Sequence, residues 1–277
     1  MNTTENLKEI VRQKYSEIAL QDKATNQASC CGAGGCSTEV YNIMSEEYTP
    51  LEGYNPDADL GLGCGLPTQF ARIRKGDTVI DLGSGAGNDC FVARAETGAD
   101  GRVIGIDFTP AMLQKATENA RKLGYQNVEF RQGDIEEMPV SDNLADVVVS
   151  NCVLNLVPDK DAVFKEIFRV LKPGGHFSIS DVVLTDTLPA GLCQAAELYA
   201  GCISGAIAKE NYLDLIRKNG FTDIQIQKEK PILLPDDILK TYLSEAEIAR
   251  FRAGNSGIRS ITVYAEKPKS CCGTDCC

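Results

Sequence analysis

Apolar positions Leu7, Ile10, Val11, Tyr15 and Ile18 recur at helical spacing between Glu5 and Leu20, which predicts an amphipathic helix. After a Cys/Gly-rich stretch and a polar connector containing Pro50, Gly53 and Pro56, the pattern changes at Asp77 to short apolar runs separated by longer amphipathic segments. Thr78 to Asp81, Arg102 to Asp107, Asn127 to Gln132 and Ala145 to Ser150 read as strands. Between them, helices are predicted from about Asn88, from Pro110 to Leu123 with Thr109 as N-cap, and from Asp159 to Leu171. Lys172-Pro-Gly-Gly175 is expected to turn the chain into a fifth strand, His176 to Val182. Leu188 to Ala208 reads as an inserted helical segment and Asn211 to Asn219 as a further helix. Strands near Asp223 to Gln227 and Ile261 to Ala265 would complete the sheet. Repeated β-α-β units with right-handed crossovers predict an α/β fold with a doubly wound, mostly parallel sheet.

Composition narrows the function classes. Of 277 residues, 43% are hydrophobic and 24% charged, the balance of an ordinary globular protein with ample length for a core. The formal net charge is −11, which repels phosphate backbones and anionic lipid, so nucleic acid and membrane surfaces are poor partners. The N-terminus lacks a basic-then-apolar leader pattern and no apolar run approaches bilayer length, so the expected location is cytoplasmic. Twelve cysteines stand against a single histidine, His176. A large cytosolic chain does not need a disulfide framework, so the thiols point to metal or redox chemistry, and a His-ligated zinc centre or His general base is disfavoured. His176, after a Pro-Gly-Gly turn, is expected to be structural.

The run Asp81-Leu-Gly83-Ser-Gly85-Ala-Gly87-Asn-Asp89 follows a predicted strand and opens a helix. Glycines there permit a tight turn and close approach of a ligand to the backbone. Asp107 ends the next strand, placed to accept hydrogen bonds from ribose hydroxyls. Asp134 follows the third strand, with Ile135 beside it to face an adenine ring. A Gly-rich turn alone could serve packing, and NAD enzymes use a related loop. Three acids in register with three strand ends, with Asn151-Cys152 after the fourth strand and Lys172-Pro-Gly-Gly175 before the fifth, resemble class I S-adenosylmethionine-dependent methyltransferases. The expected cofactor set is Asp81, Gly83, Gly85, Gly87, Asp107, Met112, Asp134, Ile135 and Asn151.

Cys64 precedes this core, Cys152 directly follows the fourth strand and Cys202 lies in the insertion. Ligands of open α/β sheets bind beyond the carboxyl ends of the strands, which puts Cys152 on the cofactor's face. Cys64 and Cys202 lie in segments able to fold over that face. Three thiolates suit one soft, thiophilic atom. Burial alone accounts for many free cysteines, and Cys90, on the helix after the glycine loop, is read that way. Ser150-Asn-Cys-Val-Leu-Asn-Leu-Val-Pro-Asp-Lys160, with Gly63-Cys64-Gly65, Gly201-Cys202 and the Cys271-Cys-Gly-Thr274 tail, resembles the arsenite methyltransferase family over nearly the whole chain.

That resemblance implies transfer of methyl groups from S-adenosylmethionine to trivalent arsenic, arsenite or methylarsenite, held by Cys64, Cys152 and Cys202, for arsenic detoxification. Arsenic attacks the sulfonium methyl through its own lone pair and needs no base; placing the two at roughly 3 Å is the main catalytic device. Paired thiols then return pentavalent arsenic to the trivalent state as they form a disulfide, so thioredoxin or a small thiol such as glutathione is the implied reductant. The family has an N-terminal functional cysteine; Cys30, Cys31 and Cys36 compete for that role, with Cys31 taken as the candidate. The part from about Pro231 to Lys269 is shorter than in the long family members. The expected organisation is an N-terminal helix and Cys-rich arsenic-binding segment (1–65), a Rossmann-like cofactor core (66–184), a helical lid and C-terminal part completing the sheet (185–269), and a Cys-rich tail (270–277). Two other readings are a carbon or oxygen methyltransferase of quinone or sterol type, which leaves the three cysteines unexplained, and a thiol-rich metalloid-sequestering protein, which would consume no methyl donor.

Overall fold

The computed structural model describes residues 4–20, 46–193, 205–253 and 257–269. Helix α1 (Thr4–Ala19) comes first among the described elements, with Val11 and Ile18 buried as its spacing predicts and Ala19 buried beside them. A short helix α2 (Pro67–Phe70) precedes an alternating series: β1 (Thr78–Leu82), α3 (Asn88–Thr97), β2 (Arg102–Asp107), α4 (Pro110–Lys122), β3 (Val128–Gln132) and β4 (Ala145–Asn151). A 3-10 turn (Leu154–Leu156), α5 (Lys160–Val170) and β5 (Leu171–Leu184) follow. Then come α6 (Ala190–Cys193), α7 (Lys209–Lys218), β6 (Thr222–Pro231), α8 (Asp236–Tyr242), α9 (Glu245–Ala253) and β7 (Ile258–Glu266).

The strands form a seven-stranded sheet in the order β3-β2-β1-β4-β5-β7-β6. β1 to β5 run parallel, whereas β7 enters antiparallel between β5 and β6. This is the doubly wound, mostly parallel architecture expected. Central strands covered on both faces read as continuous apolar runs, and Val79, Ile80, Val103, Ile104, Val147 and Val148 are indeed fully buried. Strands β3 and β6 are the two edges, and the Lys228-Glu-Lys230 run of β6 guards that edge against edge-to-edge pairing.

Several local expectations are corrected. Lys172-Pro-Gly-Gly175 is not a separate turn: β5 begins at Leu171, opposite Ala145, and the extra residues are absorbed by a register shift against β4. Thr109 is the N-cap of α4 as expected but makes no side-chain cap bond; its backbone N–H donates to Asp107 Oδ1 at 2.8 Å, and its hydroxyl also turns to that carboxylate. Asp159 does cap α5, accepting from the Ala162 N–H at 3.1 Å. Of the predicted inserted helix, residues 190–193 are helical and 205–208 are not, and residues 194–204 lie outside the described residues. Helices α8 and α9 fall where the apolar pattern predicts no element.

His176 packs against the Tyr264 ring at 5.1 Å, and its Nε2 lies 2.6 Å from the Ala71 carbonyl oxygen. Burial lowers its pKa. It ties α2 to the sheet and stands away from the strand ends.

Candidate active site

A cleft opens at the C-terminal ends of β1, β2 and β4, as expected for an open parallel sheet. Its floor is the turn after β1. Gly83, with φ +65°, passes so close to the loop after β4 that a Cβ would stand 2.5 Å from Val153 Cγ2. Gly85, with φ +51°, faces open space where a side chain would stand, and its N–H donates to Asp107 Oδ2 at 3.0 Å. Asp107 thus shapes the glycine turn while its carboxylate borders the cleft.

Four further predicted residues, Asp81, Asp134, Ile135 and Asn151, also line the cleft. Asp81 is 2% exposed and accepts from the Cys90 thiol at 3.2 Å. Burial, reinforced by the Asp89 and Asp107 charges, holds its pKa well above the usual carboxylate range. Burial also raises Asp107, against the pull of the Thr109 and Gly85 N–H groups.

Asn151 joins three parts of the chain. Its Oδ1 accepts from the Cys64 N–H at 3.0 Å and the Gly65 N–H at 3.3 Å. Its Nδ2 donates to the Gly65 carbonyl at 2.9 Å and to Asp89 Oδ2 at 3.2 Å. A Cβ on Gly63 would strike the Asn151 amide, so this segment approaches β4 only as glycine.

Cys152 lies on the cleft wall, 3% exposed, with φ +63°, a conformation L side chains adopt at a cost. Its N–H donates to the Ser180 carbonyl at 2.8 Å. Cys64 is fully buried just behind the wall that Gly63 forms, and packs in the same apolar cluster as Cys152. The fold therefore brings these two predicted thiols together. Cys31 and Cys202, with the other N-terminal and tail cysteines, lie outside the described residues, and among the described residues no set of three metal-binding side chains forms.

Two expected cofactor residues, Met112 and Gly87, do not line the cleft. Met112 is fully buried in the core between α4 and the sheet and does not line the cleft. Gly87, with φ +97°, is the N-cap of α3, where a Cβ would stand 2.8 Å from the Phe91 ring and 3.0 Å from the Phe130 ring.

Other cleft residues escaped the sequence reading. Tyr48 donates to Asp89 Oδ2 at 2.9 Å, and both line the cleft with Asp59. Burial lifts Asp89 to about 6 despite the opposing pull of Tyr48 and Asn151. Asp89 closes the quoted glycine motif and could have been singled out; Tyr48 sits in an irregular connector with no spacing signal. Helix α1 contributes Lys8, Val11 and Tyr15 to the mouth, where Lys8 pairs with Asp134 at 2.6 Å and with Glu136. Burial works against the Lys8 charge, but these two carboxylates outweigh it and raise its pKa.

Residues 73–220 match a family model described as a methyltransferase domain. The arsenite methyltransferase of Halobacterium salinarum is 39% identical over 95% of this chain and 67% of its own length. The chain belongs to the arsenite methyltransferase family. The human arsenite methyltransferase is 36% identical to this methyltransferase over 79% of the chain and 61% of its own length. The crystal structure of an arsenic(III) S-adenosylmethionine methyltransferase from Chlamydomonas reinhardtii superposes with a TM-score of 0.61 and 36% identity, over 75% of this chain and 67% of the other. This methyltransferase thus spans about two thirds of the length of its relatives. No helix among the described residues is long and apolar enough to cross a membrane.

Proposed function

We propose that this methyltransferase moves methyl groups from S-adenosylmethionine to trivalent arsenic held on cysteine thiolates. The observation that carries the reading is the placement of Cys152 on the wall of the glycine-loop cleft with Cys64 packed behind it.

The cleft fits the donor. Ser84 Oγ and Asn88 Oδ1 are buried on its wall without a protein partner, and Gly85 leaves a cradle that any Cβ would fill. The donor, when bound, supplies an electrophilic methyl group on a positively charged sulfur. Asp107 is placed for ribose hydroxyls, and Asp134 with Ile135 for the adenine edge and face. Asp81 and Asp89 supply negative charge toward the cationic end. Because Lys8 pairs with Asp134, α1 exchanges that contact when the adenine amino group takes it.

Cys152, Cys64 and Cys202 hold arsenic, and soft thiolates select a soft acceptor. The arsenic lone pair makes the attack, so no side chain has to remove a proton. The apolar surroundings of Cys64 and Cys152, with Leu156, Val182 and Leu192 in the same cluster, keep water from competing with the thiolates. Thiol pairs that include Cys31 return arsenic to the trivalent state as a disulfide, and thioredoxin or a small thiol such as glutathione resets it in the cytoplasm.

The test is incubation of the protein with arsenite, S-adenosylmethionine and a thiol, followed by arsenic speciation. Methylated arsenic is expected, with one S-adenosylhomocysteine formed per methyl group. Stoichiometric arsenite binding without donor consumption would refute the reading in favour of sequestration.

A further inference from the structure

Cys152 sits in a left-handed conformation that its own side chain does not favour, so something outside the residue must hold it. One hold is the Cys152 N–H on the Ser180 carbonyl of β5. A second arrives three residues later in the 3-10 turn. Asn155 is fully buried, and its Nδ2 donates both to Asp181 Oδ1 at 2.9 Å and to the Val182 carbonyl at 2.6 Å. The thiol loop is thereby pinned to β5 at three successive residues, Ser180, Asp181 and Val182.

Asp181 is a fully buried carboxylate that does not line the cleft. Its Oδ1 also takes the Val182 N–H at 2.9 Å, and the Tyr212 hydroxyl of α7 approaches its Oδ2 at 3.4 Å. Burial raises its pKa to about 7, opposed by Lys160, Val182 and Tyr212. Tyr212 in turn lies within electrostatic reach of both Cys64 and Cys152. A buried carboxylate is expensive unless its bonds are all made and needed.

We infer that Asp181 is a positioning residue for the thiol site: through Asn155 it locks the loop that aims Cys152 at the cleft. It touches neither donor nor arsenic. The inference rests on Cys152 being an arsenic ligand only for its effect on turnover; the lock itself is independent of that reading.

The test compares Asp181→Ala, Asp181→Asn and Asn155→Ala in the full chain. Turnover with arsenite, donor affinity by calorimetry and the rate of Cys152 alkylation by iodoacetamide, resolved by mass spectrometry against Cys90, are the readouts. Asp181→Ala and Asn155→Ala should lose about tenfold or more in kcat while donor affinity stays within about twofold, and alkylation of Cys152 but not Cys90 should accelerate about tenfold. Asp181→Asn should restore most of the turnover, because its amide oxygen still accepts from Asn155 and Val182. Wild-type turnover and alkylation in Asp181→Ala, equal damage in Asp181→Asn, or parallel loss of donor binding would overturn the inference. If Asp181→Ala does not fold, Asn155→Ala decides by the same criteria. If the wild-type protein methylates no arsenical, the functional reading falls, and unchanged Cys152 alkylation in the variants would still overturn the lock.

Discussion

The carboxylate side of the cleft and its thiol side differ in how far their residues travel along the chain to meet. Asp81, Gly83, Gly85, Asp107, Asp134 and Ile135 come from three strand ends and the turns just beyond them, adjacent because β1, β2 and β3 are neighbours in one sheet. The backbone ladder sets the strand ends side by side, and the Asp107 carboxylate then fixes the glycine turn through the Gly85 N–H. Cys64 and Cys152 come from segments with no shared ladder, joined through the Asn151 side chain, the Ser260 hydroxyl on the Cys64 carbonyl, and the Asn155–Asp181 bond. A site built on a ladder tolerates the loss of one side chain better than a site built on buried side-chain bonds, where each loss leaves a polar group unsatisfied. Donor binding and acceptor chemistry should therefore separate under mutation.

The sharpest separation is expected from Cys152→Ser. A serine hydroxyl is a hard, protonated substitute for a soft thiolate, so methylation of every arsenical should be lost while donor affinity is kept. Product speciation with arsenite and with a monomethylated trivalent arsenical, alongside calorimetry with the donor, checks this. Wild-type methylation of arsenite by the variant would place the arsenic site elsewhere.

Asp107→Ala should do the converse. Losing charge-assisted bonds to ribose, and the anchor for the Gly85 and Thr109 N–H groups, should weaken donor binding by about 1.5–3 kcal/mol, roughly ten- to a hundredfold, with arsenite binding spared. Unchanged donor affinity in a folded variant would remove Asp107 from the donor site.

A smaller effect is expected from pH. The Asp89 pKa is raised to about 6, chiefly by burial, so the folded protein without donor holds this proton more tightly than the unfolded chain. Its contribution to stability is complete below the ordinary carboxylate range and fades as pH rises through about 6. Binding of the cationic donor has the opposite trend, since it favours the ionised form. Donor affinity should rise roughly tenfold between pH 5 and 7 while the thermal midpoint loses the Asp89 contribution. Parallel rise of both would show that Asp89 does not face the cation.

The smallest effect should come from Cys90→Ser. Cys90 is buried in the core with its thiol on Asp81, and a hydroxyl preserves that bond. Turnover within about twofold of wild type is expected, with a slightly lower thermal midpoint from the lost apolar volume. Loss of arsenic methylation here would add a thiol to the chemistry.

Much of the ladder-built side was legible in the residues themselves, because short continuous apolar runs, glycines at tight turns and acids at strand ends are local consequences of backbone geometry. The mostly parallel character of the sheet followed from repeated βαβ units, and the helix read from Asp159 to Leu171 is observed as Lys160–Val170; the order of the strands came only from the structure. Other placements needed the third dimension. Met112 fits the cofactor pattern in sequence, yet its side chain packs in the core, and one-dimensional spacing carries no information about which side of a wall a residue occupies. Lys172-Pro-Gly-Gly175 looks like a break until a register shift against β4 absorbs it. Tyr48, Asn155 and Asp181 matter only through partners distant in sequence, and such partnerships are set by packing of whole elements. The amino-acid sequence by itself determined the sheet, the glycine cleft and the abundance of thiols. Tertiary structure alone decided that Cys64 and Cys152 share one buried cluster, because that placement depends on side-chain bonds closing across segments that no local periodicity connects.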